Sequence, residues 1–181
     1  MLTTELERLV AHLRRLERSV VPLLRPGVGA DRVIAALGGT NVPSSVAEWF
    51  GWCDGVNARP GQLQDDVNVI PAYNPLSLDE AIHIMPYYAG DPVLGDHFMP
   101  LLTTATGDIY SAVWGAVGDE ANAAGVLVGE PTEIEFSSIE QMVSVFNACY
   151  DNGAFFLGNT GRLEMDVKRY EETYAEAVGG E

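Results

Sequence analysis

Phe98-Met99-Pro100-Leu101-Leu102-Thr103, then Thr106-Gly107-Asp108, then Ile109-Tyr110-Ser111-Ala112-Val113-Trp114: this run from the middle of the chain decides the fold. Two apolar segments of strand length flank a turn, which predicts an antiparallel pair of strands at 98–103 and 109–114. In the second strand, alternation puts Ile109, Ser111 and Val113 on one face and Tyr110, Ala112 and Trp114 on the other. Downstream, 125–129 and 133–136 have strand character, and upstream so does 67–73, which Pro75 is expected to end. Strands clustered centrally with helices before and after predict an α+β domain, a largely antiparallel central sheet with helices packed around it.

The helices carry start signals. Ser77 with Glu80 makes a capping box opening a helix that runs to Pro86, and Ser137 with Glu140 makes another. The second helix carries Ile139, Met142, Val143, Phe146 and Tyr150 at helical spacing. Val42-Pro43 opens a helix through Trp49 and Trp52 that stops at Asp54-Gly55. A short helix capped by Asp31 stops at Gly38-Gly39. At the C-terminal end a strand at 155–157 and a helix at 163–178 are expected. The N-terminal segment reads as an amphipathic helix over 4–24, with Thr4 and Glu7 as its capping box. Leu6, Leu9, Val10, Leu13, Leu16 and Val20 form its apolar stripe, and His12, Arg8, Arg14, Arg15 and Arg18 lie on the polar side. Across 181 residues this suggests an N-terminal helix and linker at 1–30 and an α+β domain at 31–181.

Charge is distributed unevenly. Between Val33 and Gly161 there is one cation, Arg59, against sixteen carboxylates, so this stretch carries 1 − 16 = −15 of the protein's −16. A body with a one-signed surface attracts and orients basic partners, and it disfavours nucleic acid, whose binding rests on Lys and Arg. The basic first helix is expected to lie against this acidic body, within one chain or across a homodimer. No run of 18 apolar residues exists, so no membrane-spanning helix is expected, and Met1-Leu2-Thr3-Thr4-Glu5 lacks a basic n-region followed by an apolar h-region, so no signal peptide is expected. Cys53 and Cys149, 96 positions apart, read as buried free thiols in helices, in keeping with a cytoplasmic protein.

No catalytic signature emerges. Gly27-Val28-Gly29-Ala30-Asp31-Arg32 begins like a dinucleotide fingerprint, but it follows a helix and has Arg32 at the third glycine position. Lys168 is the only lysine and no Walker A loop contains it. The Asp91–His97 run has residue types that hold divalent ions, but a solvated loop with a local Asp–His interaction accounts for it better. No cofactor and no metal is expected. The carboxylates Asp65, Asp66, Asp91, Asp96, Asp119 and Glu120 fall in predicted exposed loops and are the candidate contacts to a cationic partner.

The order of several segments resembles the SUKH superfamily of Smi/Knr-type domains. These are the Val42-Pro43 helix with Glu48-Trp49-Phe50-Gly51-Trp52 and Asp54-Gly55, the capped Leu76-Ser77-Leu78-Asp79-Glu80, and Phe98-Met99-Pro100-Leu101. The Thr106-Gly107-Asp108 turn, a Val126-Leu127-Val128 strand and the Ser137-Ser138-Ile139 helix complete the series. The resemblance covers about residues 40–150. Val42 stands where the family has Leu, Asp54 where Asn is common, and Ile139 and Val143 where aromatic residues occur. The resemblance implies a non-enzymatic bacterial immunity protein that binds and neutralises a cognate toxin, often a nuclease with a basic surface. It adds Trp52 and Asp54, at the end of the family helix, as binding candidates. Two other readings stand beside it: a regulatory or scaffold protein of the same fold with no toxin partner, and a small metal-dependent enzyme built on the Asp91–His97 loop.

Overall fold

A computed structural model describes residues 1–39, 41–117 and 120–179. In chain order the helices and strands are α1 (Leu2–Arg15), β1 (Leu24–Pro26), α2 (Ala30–Ala36), α3 (Ser44–Trp52), β2 (Cys53–Val56), α4 (Gln64–Val67), β3 (Asn74–Pro75) and α5 (Leu78–Ile84). They continue with β4 (Phe98–Thr103), β5 (Ile109–Val113), β6 (Asn122–Val126), β7 (Glu133–Phe136), α6 (Ile139–Asp151), β8 (Phe155–Leu157), β9 (Leu163–Met165) and α7 (Val167–Val178). The centre is a five-stranded antiparallel sheet in the order β3-β4-β5-β6-β7, with two-stranded ribbons β1-β2 and β8-β9 at its flanks. The architecture is therefore α+β, as the sequence predicts.

The expected hairpin is present: Phe98 pairs with Val113 and Thr103 with Ile109. The alternation in β5 also holds. Tyr110 and Ala112 face a large core with α1, α3 and α6, whereas Val113 joins Leu94, Phe98 and Ala124 in a smaller cluster on the opposite face. Residues 85–97 cover that second face, so the sheet is sandwiched. Two irregularities break the alternation. Leu101 is an extra residue in β4, which lets Leu101 and Leu102 both enter the main core and lies beside Pro100, where a ladder donor is missing. Glu135 is an extra residue in β7, opposite the Ala123–Ala124 step of β6.

The first helix differs most from expectation. It starts at Leu2 without a side-chain cap and ends at Arg15, nine residues before the predicted end at 24. Glu17 adopts φ 52°, with Glu17 N–H donating to Arg14 O and Arg18 N–H to Leu13 O, the pattern of a Schellman stop. Glycine usually occupies that left-handed position, so no sequence signal marks the end. The turn brings Arg18 inward, and Arg18 and His12 are buried rather than on a polar face. Leu2, Leu6, Leu9 and Leu13 pack against α6 and α3 of the same chain. The apolar stripe is thus used within one molecule, and 1–30 shares a core with the rest of the chain.

Other boundaries shift for local reasons. The predicted strand at 67–73 is replaced by α4, an isolated bridge between Ile70 and Tyr73, and β3, the edge strand in which Pro75 pairs with Leu102. An edge tolerates proline because its N–H side needs no partner. The strand expected at 125–129 is β6, and it ends before a turn with Gly129 at φ 91°. Cys53 lies in β2, not in a helix. The α2 cap is Gly29, not Asp31. The Ser77–Glu80 capping box forms as expected, with Glu80 N–H donating to Ser77 Oγ at 3.2 Å. At α6, Ser138 replaces Ser137 as the cap, while Gln141 Oε1 accepts from Ser137 N–H at 2.7 Å. Residues 163–165 pair with β8, and α7 begins at Val167 under an Asp166 cap.

Candidate functional site

Most of the predicted binding carboxylates serve the fold. Asp65 is half-buried, its Oδ2 2.9 Å from the buried Arg18 guanidinium and its Oδ1 accepting from Leu163 N–H at 2.9 Å. Asp66 accepts from Leu63 N–H at 2.9 Å and from Ser19 Oγ–H, which closes the first turn of α4. Asp54 is buried in β2, where it accepts from Arg25 at 2.7 Å and from Leu78 N–H at 2.9 Å, joining β1, β2 and the start of α5. Asp91 organises its loop: one carboxylate oxygen accepts from Val93 and Leu94 N–H, the other from Thr132 Oγ–H. Burial alone would raise the Asp91 pKa, but these three donors outweigh it and hold the carboxyl below its usual range. Trp52 is half-buried and packs edge-on against Trp49 at 5.2 Å. Asp96 and Glu120 are exposed as expected, whereas Asp119 lies outside the described residues.

These pairings follow one pattern. The basic N-terminal segment is tied along the acidic body by Arg8–Asp151, Arg18–Asp65, Arg25–Asp54 and Arg32–Asp79. Glu48, Asp96, Glu120, Glu130 and Glu133 stay exposed, with no Lys or Arg partner among the described residues. Glu48, Glu120 and Glu140 line one groove of about 760 Å³ together with Ser44, Ser45 and Ser138. The Met1 ammonium already pairs with Glu140 there at 3.0 Å, which leaves Glu48 and Glu120 with the hydroxyls as the acceptors suited to cationic donors.

A second site is one that sequence reasoning missed. A pocket of about 250 Å³ opens between the sheet, α6 and the C-terminal ribbon. Its aromatic lining forms a chain of neighbouring rings: Tyr73–Tyr110 at 4.9 Å, Tyr110–Phe146 at 5.5 Å, Phe146–Phe155 at 6.2 Å and Phe155–Tyr170 at 6.1 Å. The charged group among them is Glu135. Simple alternation with the buried Phe136 would send Glu135 to solvent. The bulge in β7 instead turns both residues toward α6, and Gly125 on β6 leaves room for the carboxylate. Burial pushes the Glu135 carboxyl pKa up, Glu133 adds to the rise, and the Tyr110 hydroxyl within hydrogen-bonding reach partly offsets it. The signal in the sequence is Gly125 facing the Glu133-Ile134-Glu135-Phe136 strand, but only the register reveals it.

Burial pushes both the Cys53 and the Cys149 thiols up to about 11, far from the thiolate range. Asp96 and His97 are exposed, and His97 stacks on Trp114 at 6.3 Å while Asp91 is committed to its loop. Among the described residues no three His, Cys, Asp or Glu side chains converge as a metal site would need, and no helix is long and apolar enough to cross a membrane. No protein-family model matches this chain, and no curated protein matches it.

Proposed function

We propose that this protein is a SUKH-type binding module that acts without catalysis, an immunity protein that neutralises a basic, nuclease-type toxin domain in the cytoplasm. The observation that carries this reading is the division of its charge. Arg8, Arg18, Arg25 and Arg32 are committed to Asp151, Asp65, Asp54 and Asp79, while Glu48, Asp96, Glu120, Glu130 and Glu133 stay exposed with no Lys or Arg partner among the described residues. Unpaired carboxylates on a folded body raise the encounter rate with a basic surface and select against acidic ones. A nuclease surface must be basic to hold phosphates, so a protein that covers it needs complementary charge and no chemistry of its own. The test is direct. The basic C-terminal domain encoded by the neighbouring gene should bind the purified protein with an association rate that falls as salt rises, and co-expression should restore growth. Absence of both effects would rule the reading out.

A further inference from the structure

The aromatic pocket around Glu135 is built for a narrow class of occupant. At about 250 Å³ it lies below the roughly 300–1,000 Å³ typical of whole-ligand sites, so it fits one side chain rather than a cofactor. Its walls are rich in aromatic rings, whose faces carry negative potential and attract cations. Its one carboxylate is placed there by two coincident features, the β7 bulge and the missing side chain at Gly125. Taking a carboxylate out of water is costly without a counter-charge, and among the described residues no Lys or Arg lies within ion-pair distance of it. The mouth remains open at Leu127 and Met165, which are 43% and 41% exposed. The adjacent Glu133 is exposed and adds negative charge beside the carboxylate.

We infer that this pocket receives a single arginine side chain presented by a basic protein partner, with Glu135 as counter-charge and the Tyr73, Tyr110 and Tyr170 rings as walls. The inference rests on the basic-partner reading above. Arginine fits better than lysine because its planar guanidinium stacks on aromatic faces and offers two parallel N–H donors to a carboxylate. Arginine is among the residues enriched at interface hot spots, which cluster in well-packed, desolvated pockets. Exposed carboxylates such as Glu120 would then govern approach, and this pocket would govern residence.

The test uses the whole chain and a minimal probe. N-acetyl-arginine N-methylamide is titrated in aromatic and amide NMR experiments, with the citrulline and leucine counterparts as neutral controls. Arginine should shift the Tyr110, Tyr170 and Gly125 resonances, the controls should not, and Glu135→Gln should weaken binding at least tenfold. If that variant melts early, Met165→Trp at the exposed rim blocks the mouth instead and should have the same effect. Equal binding of leucine or citrulline, or no arginine-dependent shift, would overturn the assignment. The two readings separate cleanly. Salt-sensitive association with the basic domain that survives Glu135→Gln unchanged sinks the pocket alone. Arginine binding without any such association sinks the partner reading and leaves the pocket.

Discussion

Gly125 lies directly beneath the Glu135 carboxylate: a Cβ added there would overlap Oε1 and sit 2.6 Å from Cδ. The absence of one side chain on β6 therefore permits a charged one on β7 to turn inward. Neither residue has this role without the bulge that offsets the register between Ala123 and Ala124.

Gly125→Ala separates the pocket from the fold. The atoms it would strike belong to the end of a flexible side chain, so Glu135 should swing out rather than the sheet distort. Replacing a strand glycine gains about 0.5–1 kcal/mol of backbone entropy, which offsets much of the lost packing. Stability in urea should change by less than about 1 kcal/mol, while the Tyr110 and Tyr170 resonances shift. A loss of several kcal/mol would show that the carboxylate is fixed in place.

The pH dependence of Glu135 has a definite sign. Its folded pKa is raised above the ordinary 4.5, so the folded state holds the proton more tightly than the unfolded chain. The favourable contribution is fully present below pH 4.5 and is lost as pH rises through the folded value. Glu133, Tyr73, Tyr110, Tyr170 and Tyr174 are the titratable groups that face it, and the tyrosines stay protonated in this range. Melting curves of Glu135→Gln should lack this decline, and the variant should gain on the wild type as pH rises from 4 to 8. Parallel curves would contradict the raised value.

Asp65→Asn should act on stability. Arg18 and Asp65 have side chains only 5% and 20% exposed, and removal of one charge strands the other. Breaking such a pair costs about 3 kcal/mol or more, although two backbone carbonyls still accept from Arg18. Equilibrium denaturation should show a lower midpoint with an unchanged slope. A variant as stable as wild type would return Asp65 to the candidate binding surface.

Asp54→Ala should likewise weaken the fold, by roughly 1–3 kcal/mol, because Leu78 N–H loses its acceptor and Arg25 its partner. Amide exchange at Leu78 should accelerate. Unchanged protection there would show that the N–H finds another acceptor.

Neutralising Glu48, Asp96, Glu120 and Glu133 together to Gln or Asn should leave the melting temperature near the wild-type value and slow association with a basic partner most at low salt. Stopped-flow rates across an ionic-strength series distinguish this from a loss of folded protein. An association rate indifferent to both salt and these substitutions would assign the negative charge to solubility alone.

The sequence by itself determined what short-range rules control. Two apolar segments of strand length around the turn at Thr106-Gly107-Asp108 specified the hairpin, and alternation over 109–113 specified its faces, because side-chain direction in a strand repeats every two residues. The Ser77–Glu80 box specified the start of α5, because both its hydrogen bonds span three positions. Composition specified an acidic body with one cation between Val33 and Gly161. Which carboxylates remain available was decided only in three dimensions. Asp65 looks like a loop charge until Arg18, 47 residues away, is turned inward by a helix stop that has no glycine to announce it. Glu135 looks like a solvent-facing strand residue until a one-residue register shift reverses its direction. Both outcomes depend on contacts between distant segments, whose energies no local pattern encodes, so the aromatic pocket and the sorting of structural from exposed carboxylates belong to the tertiary structure.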